Sequence, residues 1–273
     1  METIGGKFER LVTEMCFGMP IAIGSHPIGD VDVAVTTAHQ ERLCLGPKER
    51  AICDSIRSNK RRVEFCAGRA AVRKACRKVG LAVDARMETL RDTQGAPFID
   101  DAPGYHVSIS HSGGLALAAI STRRIGIDLE QVEERPAALL RYFMSAPECE
   151  AIAKQNHATR HDLINELWCR KEAACKVGRW GARLSFQHLD CTHEQLLIES
   201  LRMELRSTVR SGYACAIALE ASSSGSVAAE ASQAFSSEWS VQSEVSNGAP
   251  STATVPGCPG QHSRYLPESR VHG

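Results

Sequence analysis

The sequence lacks the features that would assign it at once to several classes of protein. Its 273 residues carry 32 Lys and Arg against 32 Asp and Glu, so it has no net charge to attract nucleic acid. No two of its 11 cysteines form a CxxC pair, which favours reduced thiols over a disulfide framework or a zinc site. It has no apolar run of the roughly 20 residues that a membrane span needs, and no basic-then-apolar secretory signal. We therefore expect a cytoplasmic protein that has no membrane span and binds no nucleic acid.

Aliphatic residues and sustained periodicity are both scarce from residue 222 to residue 273. This segment holds 13 Ser, 5 Gly and 4 Pro. A segment of that composition buries too little apolar surface to offset its chain entropy, of order 1–2 kcal/mol per residue. We therefore expect a disordered C-terminal tail over 222–273.

The remaining chain shows helical and strand patterns in mixed order. The pattern predicts helices at Pro47–Lys78, Ala146–Gln155 and His161–Val177, and strands at Val31–Val35, Tyr105–Ser110, Leu115–Ile120, Ile125–Glu130, Leu201–Leu205 and Tyr213–Leu219. Because the elements do not alternate regularly as βαβ units, the pattern favours the α+β class.

The first predicted helix carries an unusual density of positive charge. Between Arg57 and Lys78 there are nine basic residues and one acidic residue. Arg69, Arg73 and Arg77 stand at i, i+4 and i+8 and therefore share one face of the helix. This face is either a solvated basic surface or a receptor for a ligand with several phosphates.

Two carboxylates alternate along the predicted strand Ile125–Glu130. Asp128 and Glu130 project from the same face, while Ile127 and Leu129 point the other way into a core. Two adjacent carboxylates repel each other, and a bound Mg²⁺ or Mn²⁺ would relieve the repulsion, because both ions prefer oxygen ligands. The alternative is a strand end whose acidic side chains simply face water.

A second group of polar residues lies on the predicted helix His161–Val177. Trp168, Glu172 and Lys176 stand at i, i+4 and i+8. A Glu–Lys pair at this spacing is usually a surface ion pair worth a few tenths of a kcal/mol. Because Trp168 shares the face, we expect this pair to be partly buried, where it could complete a metal site and place a cation near a phosphate.

Ser110 and His111 lie where a predicted strand enters a turn. Backbone amides and short hydroxyls at such a position can bind an anion. A Ser–His pair also raises the possibility of nucleophilic catalysis, but no G-x-S-x-G elbow surrounds it.

Taken in order, the motifs resemble those of a known family. EFCAGR, SISHS, IGIDLE, F-x-S-x-x-E and W-x-x-KE-x-x-x-K follow one another between about Lys60 and Leu219. This order resembles the 4′-phosphopantetheinyl transferase superfamily, and within it the surfactin-synthetase-activator type. The stretch KRRVEFCAGRAAVRKACRKVGL is most similar to the enterobactin-type siderophore subgroup.

The resemblance implies both a fold and an activity. The fold would be two similar α/β halves, 1–121 and 122–221, related by a pseudo-two-fold axis, with the active site in the cleft between them. The activity would be Mg²⁺-dependent transfer of 4′-phosphopantetheine from coenzyme A to a serine of an apo acyl or peptidyl carrier protein. The products would be holo carrier protein and 3′,5′-ADP, and the enzyme would be a monomer.

The resemblance also implies the metal ligands and the catalytic residues. Asp128, Glu130 and Glu172 would hold the metal, Mg²⁺ or Mn²⁺, against the pyrophosphate. Glu172 would in addition accept the proton of the incoming serine. Lys176 would lie near the pyrophosphate and stabilise the leaving phosphate.

The same resemblance implies contacts with the phosphates of coenzyme A. Arg69 and His111 would bind them, with the 3′-phosphate as the main target, and Ser110 adjoins His111 in the same anion-binding turn. Some relatives carry a Lys where this chain has Ala96, so that one phosphate contact would either be missing or be supplied by Arg73 or Lys48.

Two other functions share part of these features. A relative could retain coenzyme A binding without turnover. A Mg²⁺-dependent nucleotide hydrolase would use the same carboxylates without a carrier protein. Metal-dependent release of 3′,5′-ADP would separate the transferase from the relative without turnover.

Overall fold

The computed structural model describes residues 4–15, 19, 21–27, 45–84 and 87–222 as helices packed on antiparallel sheets. The helices are α1 (Ile4–Met15), α2 (Pro47–Ser55), α3 (Asn59–Lys78), α4 (Ala137–Phe143), α5 (Ala146–Ala153) and α6 (His157–Gly178). The strands are β1 (Ile21–Pro27), β2 (Thr89–Arg91), β3 (Pro97–Ile99), β4 (His106–Ser112), β5 (Leu115–Ser121), β6 (Ile125–Gln131), β7 (Gln195–Ile198), β8 (Leu201–Arg210) and β9 (Tyr213–Glu220). The α+β class is confirmed.

The strands form two larger sheets and one hairpin. The first sheet has the order β1-β5-β4, the second has the order β6-β9-β8-β7, and β2 pairs with β3. All six pairings among the described strands are antiparallel. Helix α3 packs on β1 and β5, and helix α6 packs on β6, β8 and β9. In both sheets the first strand of the half therefore pairs with the last one, and a long helix covers them.

One close approach of helix to strand recurs in both halves. A Cβ atom at Gly24 of β1 would lie 2.1 Å from the carbonyl oxygen of Ala71 on α3. A Cβ atom at Gly126 of β6 would lie 1.9 Å from the carbonyl oxygen of Ala173 on α6. The glycine and the alanine are equally far apart in the sequence in the two halves. Only glycine allows each helix to approach its sheet so closely, which supports the prediction of two similar halves.

The core explains which way the functional side chains point. Ile127 and Leu129 of β6 are buried in one apolar cluster with Leu117 of β5 and Ile217 of β9. The intervening residues of β6 therefore face the opposite side, where α6 packs. This alternation points Asp128 away from Ile127 and Leu129, as the sequence pattern predicts, and the packing of the helix places α6 on that side.

The predicted helix Pro47–Lys78 is wrong as one continuous element. It is divided into α2 and α3, because Ile56 adopts an extended conformation with φ −75° and ψ 115°. The Oγ of Ser58 then accepts a hydrogen bond from the amide of Arg61 at 3.4 Å and caps the new helix.

Other predictions compare differently with the structure. The predicted strand Val31–Val35 lies outside the described residues, as does nearly all of the predicted tail 222–273. The bounds proposed for the two halves stay predictions. Within the described ranges, no helix is both long enough and apolar enough to cross a bilayer.

Candidate functional site

The candidate site lies where β4 of the first half runs alongside β6 of the second. Three serines of β4 each accept a hydrogen bond from a backbone amide of β6. The pairs are Ser108 with Ile127, Ser110 with Leu129 and Ser112 with Gln131, at N···O distances of 3.0, 3.2 and 3.0 Å. We call this contact the serine seam. It joins the two sheets through side chains and places the last residues of β4 against the two acidic residues of β6.

Asp128 is the most deeply buried acidic residue of this site, with 2% of its surface exposed. Its Oδ1 accepts hydrogen bonds from Ser110 Oγ at 2.9 Å and from Lys176 Nζ at 2.8 Å. Its Oδ2 is buried, and no hydrogen bond from the described residues reaches it. The thiol of Cys169 lies close to Asp128 and donates to the carbonyl of Ala214 at 3.4 Å. A buried carboxylate oxygen without a partner is costly, and a cation would satisfy it.

Glu172 adds a second acidic group from α6. Burial of its carboxyl group, together with the charges of Asp128 and Glu130, raises the pKa of Glu172 to about 7, although Lys176 opposes this shift. Because Asp128 is buried, the interpretation of the acidic residues as a strand end that faces water is wrong for this residue. Burial and two neighbouring carboxylates disfavour the charged form of Glu172, and a divalent cation at this site would favour it.

Lys176 links the two strands of the serine seam. Its Nζ donates to the carbonyl of Ile127 at 2.8 Å and to the carbonyl of Ile109 at 3.4 Å, in addition to Asp128. Burial lowers the pKa of Lys176, but the charges of Asp128 and Glu172 and the hydrogen bond to Asp128 oppose it, and the net shift is upward. The partial burial predicted for the Trp168–Glu172–Lys176 face is confirmed. The group at Lys176 is thus a fixed cation beside a fixed anion.

Glu130 contacts both a serine of the seam and an arginine. Its Oε2 accepts a hydrogen bond from Ser112 Oγ at 3.2 Å and lies 3.7 Å from Arg135 Nη2. The Arg135 guanidinium lies over the ring of Trp168, 4.7 Å from the centroid, and donates to Asn165 Oδ1 at 2.9 Å. The sequence analysis missed Arg135, because the loop between β6 and α4 gives no periodic signal. Among the described residues, no set of three His, Cys, Asp or Glu side chains is arranged to hold a metal ion.

Arg69 and Arg73 are both buried, so the interpretation of their helix face as solvated is wrong at these positions. Arg73 Nη2 donates to Glu49 Oε2 at 2.9 Å and to the carbonyl of Met87 at 2.7 Å. Arg69 lies over the ring of Phe65 at 4.0 Å, with its Nε 3.7 Å from Glu49 Oε1. Burial lowers the pKa of Arg69 to about 10. Its Nε has no hydrogen-bond partner among the residues that the structure describes.

The remaining predicted phosphate contacts lie in two places. His111, on β4, has its Nδ1 4.0 Å from Oε1 of Glu64 on α3. Burial lowers the pKa of His111, Glu64 opposes this shift, and Lys176 adds to it. Lys48 donates instead to Asp100 Oδ2 at 2.6 Å. The structure thus brings Asp128, Glu172 and Lys176 together beside the C-terminal end of β4. Arg73 and Lys48 bond to Glu49 and Asp100 instead.

Comparison with known proteins gives consistent results. Residues 124–241 match the 4′-phosphopantetheinyl transferase superfamily, and residues 48–121 match the 4′-phosphopantetheinyl transferase N-terminal domain. The 4′-phosphopantetheinyl transferase psf-1 of Bacillus pumilus is 30% identical over 83 residues, which are 30% of this chain and 36% of that protein. Enterobactin synthase component D of Salmonella typhimurium is 34% identical over 121 residues, 44% of this chain and 47% of that protein.

A solved structure is also similar over part of the chain. It is a holo-(acyl-carrier-protein) synthase from Bacillus anthracis in complex with CoA (3′,5′-ADP), 26% identical, with a TM-score of 0.32. The match covers 37% of this chain and 92% of that one. The stretches matched in the two curated relatives span 36% and 47% of their lengths.

Proposed function

Because the chain belongs to the 4′-phosphopantetheinyl transferase superfamily, we propose that it transfers 4′-phosphopantetheine from coenzyme A to a serine of an apo carrier protein. The other product is 3′,5′-ADP. One observation carries the proposal most directly. Asp128 holds Lys176 through one carboxylate oxygen and leaves the other buried without a partner. This arrangement supplies a place for a cation next to a fixed ammonium, as a pyrophosphate substrate requires.

The acidic residues have the oxygen-donor chemistry that a magnesium ion prefers. Asp128 Oδ2 is buried without a hydrogen-bond partner among the described residues, and the charges of Asp128 and Glu130 add to burial in raising the pKa of Glu172. All candidate ligands are carboxylate oxygens, which suit Mg²⁺ or Mn²⁺. We propose that Asp128, Glu130 and Glu172 hold the ion, which would supply Lewis-acid stabilisation of charge on the pyrophosphate.

The catalytic roles follow from the positions of Glu172 and Lys176. The Glu172 carboxylate, beside Asp128 and Lys176, is suited to accept the proton of the incoming serine hydroxyl, directly or through water. The Lys176 ammonium, held by Asp128 and two backbone carbonyls, stabilises the negative charge that grows on the departing phosphate. The nucleophile belongs to the carrier protein, so the chain needs no catalytic serine of its own.

Coenzyme A binding is proposed for the first half of the chain. Arg69 has a buried guanidinium with a donor left over, and His111 is half-buried at the end of β4. We propose that these two residues contact the phosphates, mainly the 3′-phosphate. Arg73 shares Glu49 with Arg69, which suits it to hold Arg69 in place. That Arg73 and Ser110 contact coenzyme A directly stays a prediction.

The partner and the setting are also proposals. One similar protein is named a component of enterobactin synthase, which supports a carrier of siderophore or other secondary-metabolite biosynthesis. We propose that the protein acts as a cytoplasmic monomer on such acyl or peptidyl carrier domains.

A panel of apo carrier proteins tests the proposed function. Each carrier is incubated with coenzyme A, Mg²⁺ and the protein, and released 3′,5′-ADP is quantified by chromatography. A transferase releases 3′,5′-ADP only when a competent carrier is present. Release without any carrier would indicate a nucleotide hydrolase, and binding of coenzyme A without any release would indicate a relative without turnover.

A further inference from the structure

The hydroxyl hydrogens of the serine seam have assignable directions. Ser110 Oγ accepts a hydrogen bond from the amide of Leu129 at 3.2 Å, and Ser112 Oγ accepts one from the amide of Gln131 at 3.0 Å. A serine hydroxyl has a single hydrogen, and an oxygen that accepts an amide must direct that hydrogen to another acceptor. For Ser110 that acceptor is Asp128 Oδ1 at 2.9 Å. For Ser112 it is Glu130 Oε2 at 3.2 Å.

The third serine provides a comparison within the molecule. Ser108 Oγ accepts a hydrogen bond from the amide of Ile127 at 3.0 Å, in the same way as the other two serines of the seam. The residue before Ile127 is Gly126, which has no side chain. Ser108 therefore performs the joining role of the seam without facing a carboxylate. The role of a serine in joining the strands can thus be separated from its role toward an acidic residue.

We propose that Ser110 and Ser112 are positioning residues that orient the Asp128 and Glu130 carboxylates to receive the divalent cation. The assignment of that cation rests on the proposed function. Ser110 Oγ and Lys176 Nζ both bond to Oδ1 of Asp128, so that Oδ2 is the oxygen left for a ligand. A carboxylate whose orientation is fixed in advance binds a metal ion at a lower entropic cost.

The environment of Ser110 supports this role over a phosphate contact through its hydroxyl. Only 1% of Ser110 is exposed, and its hydroxyl has both an amide donor and a carboxylate acceptor within the protein. Its hydrogen is therefore not available to an anionic ligand. Ser112 is half-buried, and Glu130 also has Arg135 within 3.7 Å, so Ser112 should have the smaller effect of the two.

Direct Mn²⁺ binding tests the proposal without turnover. Electron paramagnetic resonance measures free Mn²⁺ in titrations of the full chain and of the variants Ser110→Ala, Ser112→Ala and Ser108→Ala. Each titration is made with and without coenzyme A and in the absence of carrier protein. We expect Ser110→Ala to weaken Mn²⁺ binding by about 10–100-fold, the usual effect of removing a hydrogen bond to a metal ligand. Ser112→Ala should weaken it less, and Ser108→Ala should leave it nearly unchanged.

Two further measurements keep the result interpretable. Thermal unfolding of each variant shows whether the seam survives, and Ser110→Thr, which keeps the hydroxyl, should recover most of the Mn²⁺ affinity lost in Ser110→Ala. If Ser110→Ala does not fold, the comparison of Ser112→Ala with Ser108→Ala decides. Equal losses in Ser108→Ala and the other alanine variants would overturn the proposal, as would a wild-type chain that binds no Mn²⁺.

The proposal and the proposed function can fail separately. If the chain modifies a carrier protein but its Mn²⁺ affinity is the same in Ser110→Ala as in the wild type, the positioning role is wrong and the function stands. If no carrier is modified but Ser110→Ala selectively loses Mn²⁺, the function is wrong and the positioning role stands.

Discussion

The ammonium nitrogen of Lys176 lies 2.8 Å from Oδ1 of Asp128. Lys176 belongs to the long helix of the second half, while Asp128 belongs to the strand that joins this half to the first. The same nitrogen also contacts the carbonyls of Ile109 and Ile127, one on each side of the serine seam. The pair therefore couples the chemistry of the site to the joint between the two halves.

The first prediction concerns the charge of Lys176. Lys176→Ala should lower kcat by about 10²–10³, because it removes a positive charge that stabilises negative charge mainly in the transition state. Coenzyme A binding should weaken much less. Lys74 on α3 is a matched control. Its Cβ lies near Gly24, just as the Cβ of Lys176 lies near Gly126, but the Lys74 side chain is exposed.

Steady-state kinetics with a cognate apo carrier, and calorimetric titration of coenzyme A, measure the two effects of Lys176→Ala. Lys74→Ala should leave kcat near the wild-type value. A rise in KM with unchanged kcat in Lys176→Ala would show that Lys176 is a uniform binding contact instead.

The second prediction is that Glu172 makes the metal-free protein less stable at alkaline pH. The pKa of Glu172 is raised from 4.5 to about 7, mainly by burial. The folded state therefore binds a proton between these values that the unfolded state has lost. The stabilising contribution of protonation is complete below about pH 4.5 and is lost as pH rises through about 7.

Glu172→Gln removes this titration. With a chelator present at pH 8, the variant should be more stable than the wild type by at most about 3 kcal/mol, and the difference should shrink toward pH 5. Urea unfolding at both pH values measures it. The same variant should lose most of the transfer activity. A variant less stable than the wild type at pH 8 would contradict the account of this carboxyl group.

The third prediction assigns Lys171 of the W-x-x-KE motif a structural role. Lys171 and Glu148 are both fully buried, and Lys171 Nζ lies 2.7 Å from Glu148 Oε2. Lys171 also donates to the carbonyls of Phe186 and Leu189. Lys171→Met should lower the free energy of unfolding by about 3–5 kcal/mol, because it leaves a buried carboxylate without its cation.

Chemical denaturation measures the cost of Lys171→Met, and Lys154→Met at an exposed site serves as its control, with an expected change within about 0.5 kcal/mol. Below the unfolding temperature, kcat per folded Lys171→Met molecule should stay close to wild type. A large fall in kcat at unchanged stability would instead place Lys171 in the chemistry.

Several features of the site could be predicted from local periodicity. The strand period of two placed Asp128 and Glu130 on one face, and the helix period placed Trp168, Glu172 and Lys176 on another. That these two faces meet could not be read from spacing, because it depends on how α6 packs on β6. Only the resemblance to a known family predicted that Asp128, Glu130 and Glu172 belong to one site.

Other features depended on tertiary contacts that no local pattern contains. The alternating serines of β4 are visible in the sequence, but their amide partners appear only when β4 lies beside β6. The burial of Arg73 depends on Glu49, which is 24 residues away on a separate helix. The division between α2 and α3 did have a local signal, the capping residue Ser58, which the continuous helical pattern obscured.

The most direct test of the account is the intact mass of an apo carrier protein after incubation with coenzyme A, Mg²⁺ and the chain. The wild type should add the mass of one phosphopantetheine to the carrier serine and release an equal amount of 3′,5′-ADP. Asp128→Asn, which keeps the shape of the side chain but not its charge, should add none, and a chelator should abolish the wild-type reaction. A carrier of unchanged mass across acyl and peptidyl types, or full modification by Asp128→Asn, would contradict the account.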